Sequence, residues 1–339
     1  MRIDIKKYGL KLTHKFRIAR ETQTICYNLF LKMNINGLTG YGESAPTAYY
    51  NENIDTMCEA VDSIYDISEP NLENPDTFFE ELEKLYPNYP SLRAGIEMAV
   101  YDIIGKLKNK SVCELFGLDS SRTPLTSFTI GIDKPELLKM KFEEAEKYPV
   151  IKIKMGSEFD YEIINFLKNI KDKKIRIDAN EGWKREEAVK KMELLKEIGV
   201  EFVEQPLKKQ DLEGILWLKE RVDMKLFTDE NVKTSQDINN IKDIYDGINI
   251  KLMKCGGLSE AKKMIDIAHS YNIEVMLGCM IESSLAITAA SQISPSVEYA
   301  DLDGNLLISN DPFKGVSVIN GKLVIPKKPG LGLEELGLF

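Results

Sequence analysis

The sequence predicts an α/β protein whose centre is a (β/α) barrel, with an N-terminal α+β capping module that a C-terminal tail completes. Three observations predict it. Between about residues 123 and 304, eight short apolar stretches alternate with amphipathic helices rich in Lys and Glu, as a closed parallel barrel ringed by helices requires. Residues 1–122 instead run strands first and helices after, the order of an α+β module. In residues 305–339 the helical period stops, and NLLISNDPFKGVSVINGKLVIPKK reads as extended pieces that fold back toward the first module. At 339 residues the chain exceeds the usual single-domain size, though barrels of this kind reach it.

Within the first module, MRIDIKKYGLKL and NLFLKMNI alternate as strands, Asn36-Gly37 makes a hairpin turn, and LTGYGES is the third strand. Two helical patterns follow, DTMCEAVDSIYDI and SLRAGIEMAVYDIIGKLKNKSV. The second sets Leu92, Ile96, Ala99, Val100, Ile103 and Leu107 on one stripe. The barrel strands are then LTSFTIG, VIKIKMG, KIRIDAN, EFVEQP, KLFTDE, GINIKLMK, EVMLGCM and EYADLDG. FTIGIDKPE lacks the GxGxxG turn expected after the first strand of an open doubly wound sheet.

Composition narrows the function classes. The net charge of -9 arises from 45 basic and 54 acidic residues, with no basic stripe for nucleic acid. No stretch approaches the roughly 20 apolar residues that cross a bilayer, and the N-terminus lacks the apolar core of a signal peptide. Cys26, Cys58, Cys113, Cys255 and Cys279 are scattered with no CxxC spacing, which favours a reducing cytoplasm and no structural zinc. His14 and His269 are the only histidines and are expected to face solvent, so acid–base chemistry falls to other groups. Self-association is left open.

In such barrels the working groups sit at the C-terminal ends of strands. There the chain carries Lys152 and Lys154 on the second strand, Asp178 on the third, Glu204 on the fourth, Asp229 on the fifth and Lys251 on the sixth. Alternation points both lysines of VIKIKMG to one side of a buried strand. Any one acid alone reads as well as a helix cap or surface ion pair, and lone lysines as snorkelling side chains. Three carboxylates on adjacent strands, without His or Cys, form a hard oxygen set suited to Mg²⁺ or Mn²⁺. Asn180 is expected to orient Asp178, and Glu230 to support Lys251. Lys154 and Lys251 would face each other across the barrel mouth. Two bases on opposite sides of one carbon can remove a proton from one face and return it to the other, which is epimerisation or racemisation. Abstraction beside a carboxylate builds an enediolate that a divalent ion would stabilise. Lys152 is expected to lower the pKa of Lys154 by proximity.

Together these residues resemble the enolase superfamily, in its muconate-lactonizing branch. The resemblance spans nearly the whole chain: GYGESAP and AGIEMAVYDIIGK in the cap, then KIKMG, RIDANEGW, EQP, TDE, KLMKCGG and LGCMIESS. It implies Lys154 and Lys251 as the acid/base pair and Asp178, Glu204 and Asp229 as Mg²⁺ ligands. A mandelate-racemase-like member would carry histidine opposite the lysine, where this chain has Lys251. Asp301 and Asp303 of EYADLDG are similar to the motif with which dipeptide epimerases hold the substrate's ammonium group, a turn or helix cap being the alternative. Thr129, Cys279 and Met280 are candidates to line the cleft. The loops IARETQTI and PTAYYNENI are implied to close over the substrate, with Arg20 a candidate partner for an anionic side chain. The resemblance therefore implies a Mg²⁺-dependent isomerase that inverts the α-carbon of a dipeptide's C-terminal residue. o-Succinylbenzoate synthase, muconate cycloisomerase and N-acylamino acid racemase would reuse the same lysines and metal. A Schiff-base enzyme would use one lysine as nucleophile, and a non-catalytic binding barrel would need neither.

Overall fold

A computed structural model describes residues 1–339. The cap opens with an antiparallel sheet of β1 (Arg2–Arg17), β2 (Thr22–Ile35) and β3 (Leu38–Ser44). Asn36 and Gly37, at φ 52° and 80°, turn β2 into β3, the left-handed pair that a tight hairpin needs. Three helices follow: α1 (Ile54–Ala60), α2 (Asp76–Leu85) and α3 (Pro90–Lys108). Leu29, Leu31 and Met33, alternate residues of β2, pack against Leu92, Ile96 and Ile103 of α3 in a core separate from that of the barrel. The close approach of α3 depends on Gly42, where a Cβ would lie 1.8 Å from the Gly95 carbonyl oxygen.

Two details differ from the sequence pattern. DTMCEAVDSIYDI is not one helix: α1 stops at Ala60 and Val61–Asp66 continue as a 3₁₀ turn, which brings Val61 and Ile64, both buried, onto one face. Helix α2 was not anticipated, although Phe78 and Leu82, one turn apart, are its buried residues.

After the short helix α4 (Val112–Leu115) come β4 (Phe128–Ile130), β5 (Val150–Lys154), β6 (Lys174–Asp178), β7 (Val203–Glu204), β8 (Leu226–Thr228), β9 (Gly247–Lys251), β10 (Glu274–Gly278) and β11 (Tyr299–Asp301). They form one parallel eight-stranded sheet whose spatial order is the chain order. The anticipated barrel is therefore present, strand for strand. Its ring closes where Ser127 N donates to the Ala300 carbonyl at 3.1 Å and Leu302 N to Thr126 Oγ1 at 2.7 Å. Between strands run α5 (Pro135–Glu144), α6 (Asp160–Leu167), α7 (Arg185–Ile198), α8 (Leu212–Lys219), α9 (Ser235–Ile241), α10 (Leu252–Cys255), α11 (Leu258–Ser270) and α12 (Ser284–Ile293).

Alternation divides each strand between two environments. Ile151 and Ile153 of β5 join the helix-facing core, while Lys152 and Lys154 face the barrel interior. The same rule builds the floor two residues below each site position. Phe202, Phe227 and Met276 form a buried plug below Glu204, Asp229 and Gly278, with the Phe202 and Phe227 rings stacked 4.0 Å apart. Arg176, below Asp178, lies over the Phe202 and Tyr299 rings. The floor excludes water from the underside of the site.

The tail carries β12 (Phe313–Lys314), β13 (Ser317–Ile319), β14 (Lys322–Val324) and β15 (Glu334–Glu335). It reaches the cap where Thr13 N donates to the Leu307 carbonyl and Ser309 N to that of Lys11, and where Phe313 stacks on Phe30 at 6.0 Å. The β13–β14 hairpin instead seals the barrel's entry strand, accepting from Thr126 N at Gly321 O across 2.8 Å. No helix is long and apolar enough to cross a membrane.

Candidate active site

The strand ends and the cap enclose a cavity of about 230 Å³. Lys154, Lys251, Asp229, Asn180, Asp301, Asp303, Thr129, Cys279 and Met280 line it from the barrel side. Strands β5 and β9 hold the second and sixth places in a ring of eight, so Lys154 and Lys251 enter from opposite sides. Both are nearly buried, with side chains 11% and 8% exposed.

Three carboxylates occupy the arc between them. On each, one oxygen is held from behind and the other is turned toward a lysine. Asp178 Oδ1 accepts from Asn180 N at 2.9 Å, Glu204 Oε1 from Asn249 Nδ2 at 2.8 Å, and Asp229 Oδ1 from Lys254 Nζ at 2.6 Å. The opposite oxygens meet Lys154 at 2.6 Å from Asp178 Oδ2, Lys152 at 2.7 Å from Glu204 Oε2 and Lys251 at 2.9 Å from Asp229 Oδ2. Glu204 Oε2 makes a charge contact only, since no hydrogen bond reaches it.

Charge balance sets the protonation preferences. Burial alone would raise the Asp178 pKa, but Lys154 and Lys152 outweigh it and hold the group below the usual carboxylate range. Asp229 is likewise held well down by Lys251 and Lys254 against burial. Glu204 goes the other way, raised by burial and by Asp178 more than Lys152 lowers it. Burial would favour a neutral Lys251, yet Asp229 overcomes it and raises the pKa.

The donor chemistry fits a hard divalent cation: three anionic oxygens, one from each of three adjacent strands, each carboxylate fixed by a donor on its other oxygen. As they stand, the acidic side chains are not gathered as they would be around a metal ion, and lysine ammonium groups provide the counter-charge.

Several sequence expectations are corrected by this geometry. Lys152 does not lie at the mouth beside Lys154 as a free cation. Its side chain is 0% exposed and is surrounded by Asp301 and Glu204 at 2.7 Å and Asp178 at 3.3 Å. These carboxylates overcome burial and raise its pKa well above the ordinary value. Held as an ammonium beneath the cavity, Lys152 acts by its charge, which opposes the rise that Asp229 imposes on Lys251. Asn180 orients Asp178 through its backbone N–H, not its side chain, whose Oδ1 has no partner. Glu230 makes no hydrogen bond to Lys251 and reaches it through charge alone; its Oε1 accepts from Arg20 at 2.8 Å. Asp301 and Asp303 both line the cavity, and each already has partners. Asp301 is held by Lys152, Ser127 and Thr129. Asp303 accepts from Thr129 N and is pushed up to about 7 by burial and by Asp301.

The chain matches the model of the mandelate racemase / muconate lactonizing enzyme N-terminal domain over residues 4–117, and that of the enolase C-terminal domain-like family over 138–335. It belongs to the enolase superfamily. Among curated relatives, the L-Ala-D/L-Glu epimerase of Bacteroides thetaiotaomicron is 39% identical, the alignment covering 99% of this chain and 88% of that protein. Of solved structures, a dipeptide epimerase from Enterococcus faecalis V583 complexed with Mg and L-Leu-L-Tyr superposes with a TM-score of 0.91 at 31% identity, covering 98% of both chains. A substrate-liganded L-Ala-D/L-Glu epimerase from Bacillus subtilis gives 0.93 at 28%, covering 100% of this chain and 99% of that one.

Within this enolase-superfamily member, three residues around the carboxylates were not singled out from sequence. Asn249 lies on β9 two residues before Lys251, so alternation alone places it on the interior face. Lys254 is buried on α10 and donates to Asp229 Oδ1 and to the carbonyls of Asp229, Val232 and Asn249, all within 3.0 Å. Gln205, at φ 40°, accepts from the backbone N–H groups of Asp229 and Glu230. For Lys254 the available signal was the apolar run GINIKLMKCGG, where a second buried lysine, three residues after Lys251, demands acceptors of its own.

Proposed function

We propose that this chain is a Mg²⁺-dependent dipeptide epimerase that inverts the α-carbon of the C-terminal residue by two-base proton transfer. The observation that carries the reading is the entry of Lys154 and Lys251 from opposite sides of the ring into one cavity. With an α-carbon between them, one lysine as free amine takes the proton from one face. The other, as ammonium, delivers a proton to the opposite face of the enediolate. Turnover exchanges their protonation states, so each epimer requires the opposite starting pattern. Asp229, which raises the pKa of Lys251, favours its ammonium, the proton-donating form.

Asp178, Glu204 and Asp229 are the residues that would hold Mg²⁺, which supplies positive charge where the substrate carboxylate becomes an enediolate. Asp303, ion-paired to no side chain, and Asp301 beside it are suited to the dipeptide's ammonium group. N-acylamino acids carry no such cation. The E. faecalis protein with bound Mg and L-Leu-L-Tyr and the relative named for L-Ala-D/L-Glu epimerisation support the same substrate class. The five cysteines are all free thiols, consistent with a cytoplasmic enzyme.

The test is mass spectrometry of L,L-dipeptide pools incubated with protein and Mg²⁺ in D₂O. Metal-dependent gain of about one mass unit, from one exchanged α-proton, is expected. Its absence across a broad pool, with protein folded and Mg²⁺ bound, would remove the epimerase reading.

A further inference from the structure

Resting on that reading, we infer that the chain selects dipeptides whose second side chain is apolar, and that Arg20 fastens the cap to the barrel instead of receiving a substrate carboxylate. Arg20 is the only cation that the cap contributes to the cavity wall, and its charge is already matched. Its Nη1 lies 2.8 Å from Glu230 Oε1 and 3.8 Å from Glu181 Oε2, with the guanidinium over the Tyr49 ring at 4.1 Å. Tyr49 OH in turn donates to Glu181 Oε2 at 3.0 Å. One arginine thereby ties both capping loops to the ends of β6 and β8.

Two acids share this single cation. The Glu230 side chain is 0% exposed, and its second oxygen has no hydrogen-bond partner. A substrate carboxylate that captured Arg20 would leave Glu230 buried without its counter-charge, an unfavourable exchange. The cavity's other cations are committed elsewhere: Lys154 and Lys251 to the proton transfer, and the Mg²⁺ that Asp178, Glu204 and Asp229 would hold to the substrate's α-carboxylate. The cap adds a further acid, Glu21, to the wall. On the cap side, an acidic substrate side chain therefore meets no unpaired cation and one acid, Glu21.

Apart from Gln23, Asn28 and Thr47, the rest of the cap's wall is built of apolar and aromatic side chains. Ile25 and Tyr27 of β2 are 43% and 53% exposed, line the cavity and share its wall with Phe16, Ile18 and Ile281. Large apolar groups left uncovered inside a cleft mark the surface that an apolar ligand group covers.

The experiment compares kcat/KM for D₂O exchange of L-Ala-L-Leu, L-Ala-L-Phe, L-Ala-L-Glu and L-Ala-L-Lys with Mg²⁺, for the full chain and for Arg20→Met. The expected result is a preference for Leu and Phe over Glu of roughly 100-fold or more, the scale of rejection for a misfit polar group. Arg20→Met should slow all four by a similar factor, mainly through KM, with Arg20→Lys recovering part of the loss. L-Ala-L-Glu as the best substrate, lost selectively in Arg20→Met, overturns the inference and leaves the epimerase reading intact. L-Ala-L-Lys as the best substrate overturns the apolar class. Exchange of no dipeptide at all overturns both, and the wild-type panel decides among these outcomes even should the variants misfold.

Discussion

Asn249 Nδ2 donates to Glu204 Oε1 at 2.8 Å, reaching from β9 across the barrel interior to β7. Only glycine at 278 leaves room for this amide, since a Cβ there would lie 2.4 Å from Asn249 Oδ1. The bond fixes the Glu204 carboxylate while leaving Oε2 available. Replacing Asn249 by Ala is expected to weaken Mg²⁺ binding 10- to 100-fold, the usual effect of losing a partner that orients a metal ligand. Titration calorimetry measures it, and unchanged affinity in a folded variant would show that Glu204 needs no such support.

The two lysines should separate by substrate configuration. Lys154→Ala and Lys251→Ala are each expected to lower epimerisation at least 10²- to 10⁴-fold, the range for loss of a positioned acid or base. Each variant should still exchange the α-proton of the one epimer presented to its surviving lysine, and the two should prefer opposite epimers. Proton NMR in D₂O with the separate L,L and L,D compounds reads this directly. Equal loss of exchange for both epimers in both variants would count against a base on each face.

Chelation is expected to abolish exchange, and Mg²⁺ or Mn²⁺ to restore it. Mg²⁺ at about 100 times its Kd should stabilise the fold by about 2.7 kcal/mol through mass action. Thermal denaturation with and without the ion checks this. The gain should shrink in Asp178→Asn.

Away from the site, two buried carboxyls make stability fall as pH rises. Glu97 on α3 is pushed up to about 7 because burial outweighs the Ser259 N–H and nearby Arg93. Glu52 is also raised to about 7, by burial against Ser91. An unfolded Glu titrates near 4.3, so the folded state binds more protons between the two values, and the slope of stability with pH is negative there. The contribution is complete below about pH 4.3 and lost as pH rises through 7, on the order of a few kcal/mol per group at 1.4 kcal/mol per unit. Denaturant curves from pH 5 to 8 should show the decline, and Glu97→Gln should flatten it while keeping the acceptor for Ser259 N. An unaltered slope would assign the dependence to other groups.

Gly42→Ala places a methyl group against the Gly95 backbone carbonyl, which no rotamer change can relieve. A loss of about 3 kcal/mol or more is expected, at the upper end for overpacking. Urea titration followed through cap and barrel probes would show the cap yielding first.

The barrel was legible because each of its strands is a short apolar run, six of them ended by a charged residue, and alternation along each strand then places those residues inside. Depth was harder to read. Lys152 and Lys154 share a face, yet at roughly 3.3 Å per residue they sit about 7 Å apart along the strand, enough to put one in the cavity floor and the other in its wall. Lys254 follows β9 on a helical turn, where a two-residue alternation no longer applies. The Arg20–Glu230 pair joins residues 210 positions apart in the chain, through a loop whose path periodicity does not set.

The seam that joins Thr126 to Ala300 also orders events during synthesis. Strand β4 waits for nearly the whole barrel to leave the ribosome before it gains its second neighbour, and β1 waits longer still for Leu307 and Ser309. Until then the ring is an open, curved sheet with an exposed edge, and its lysines and acids remain in water. Burial of those charges is thus a late step, taken once all their counter-charges have been made. A nascent chain stalled before residue 300 should remain protease-sensitive through β4, and release of the last forty residues should protect cap and barrel together.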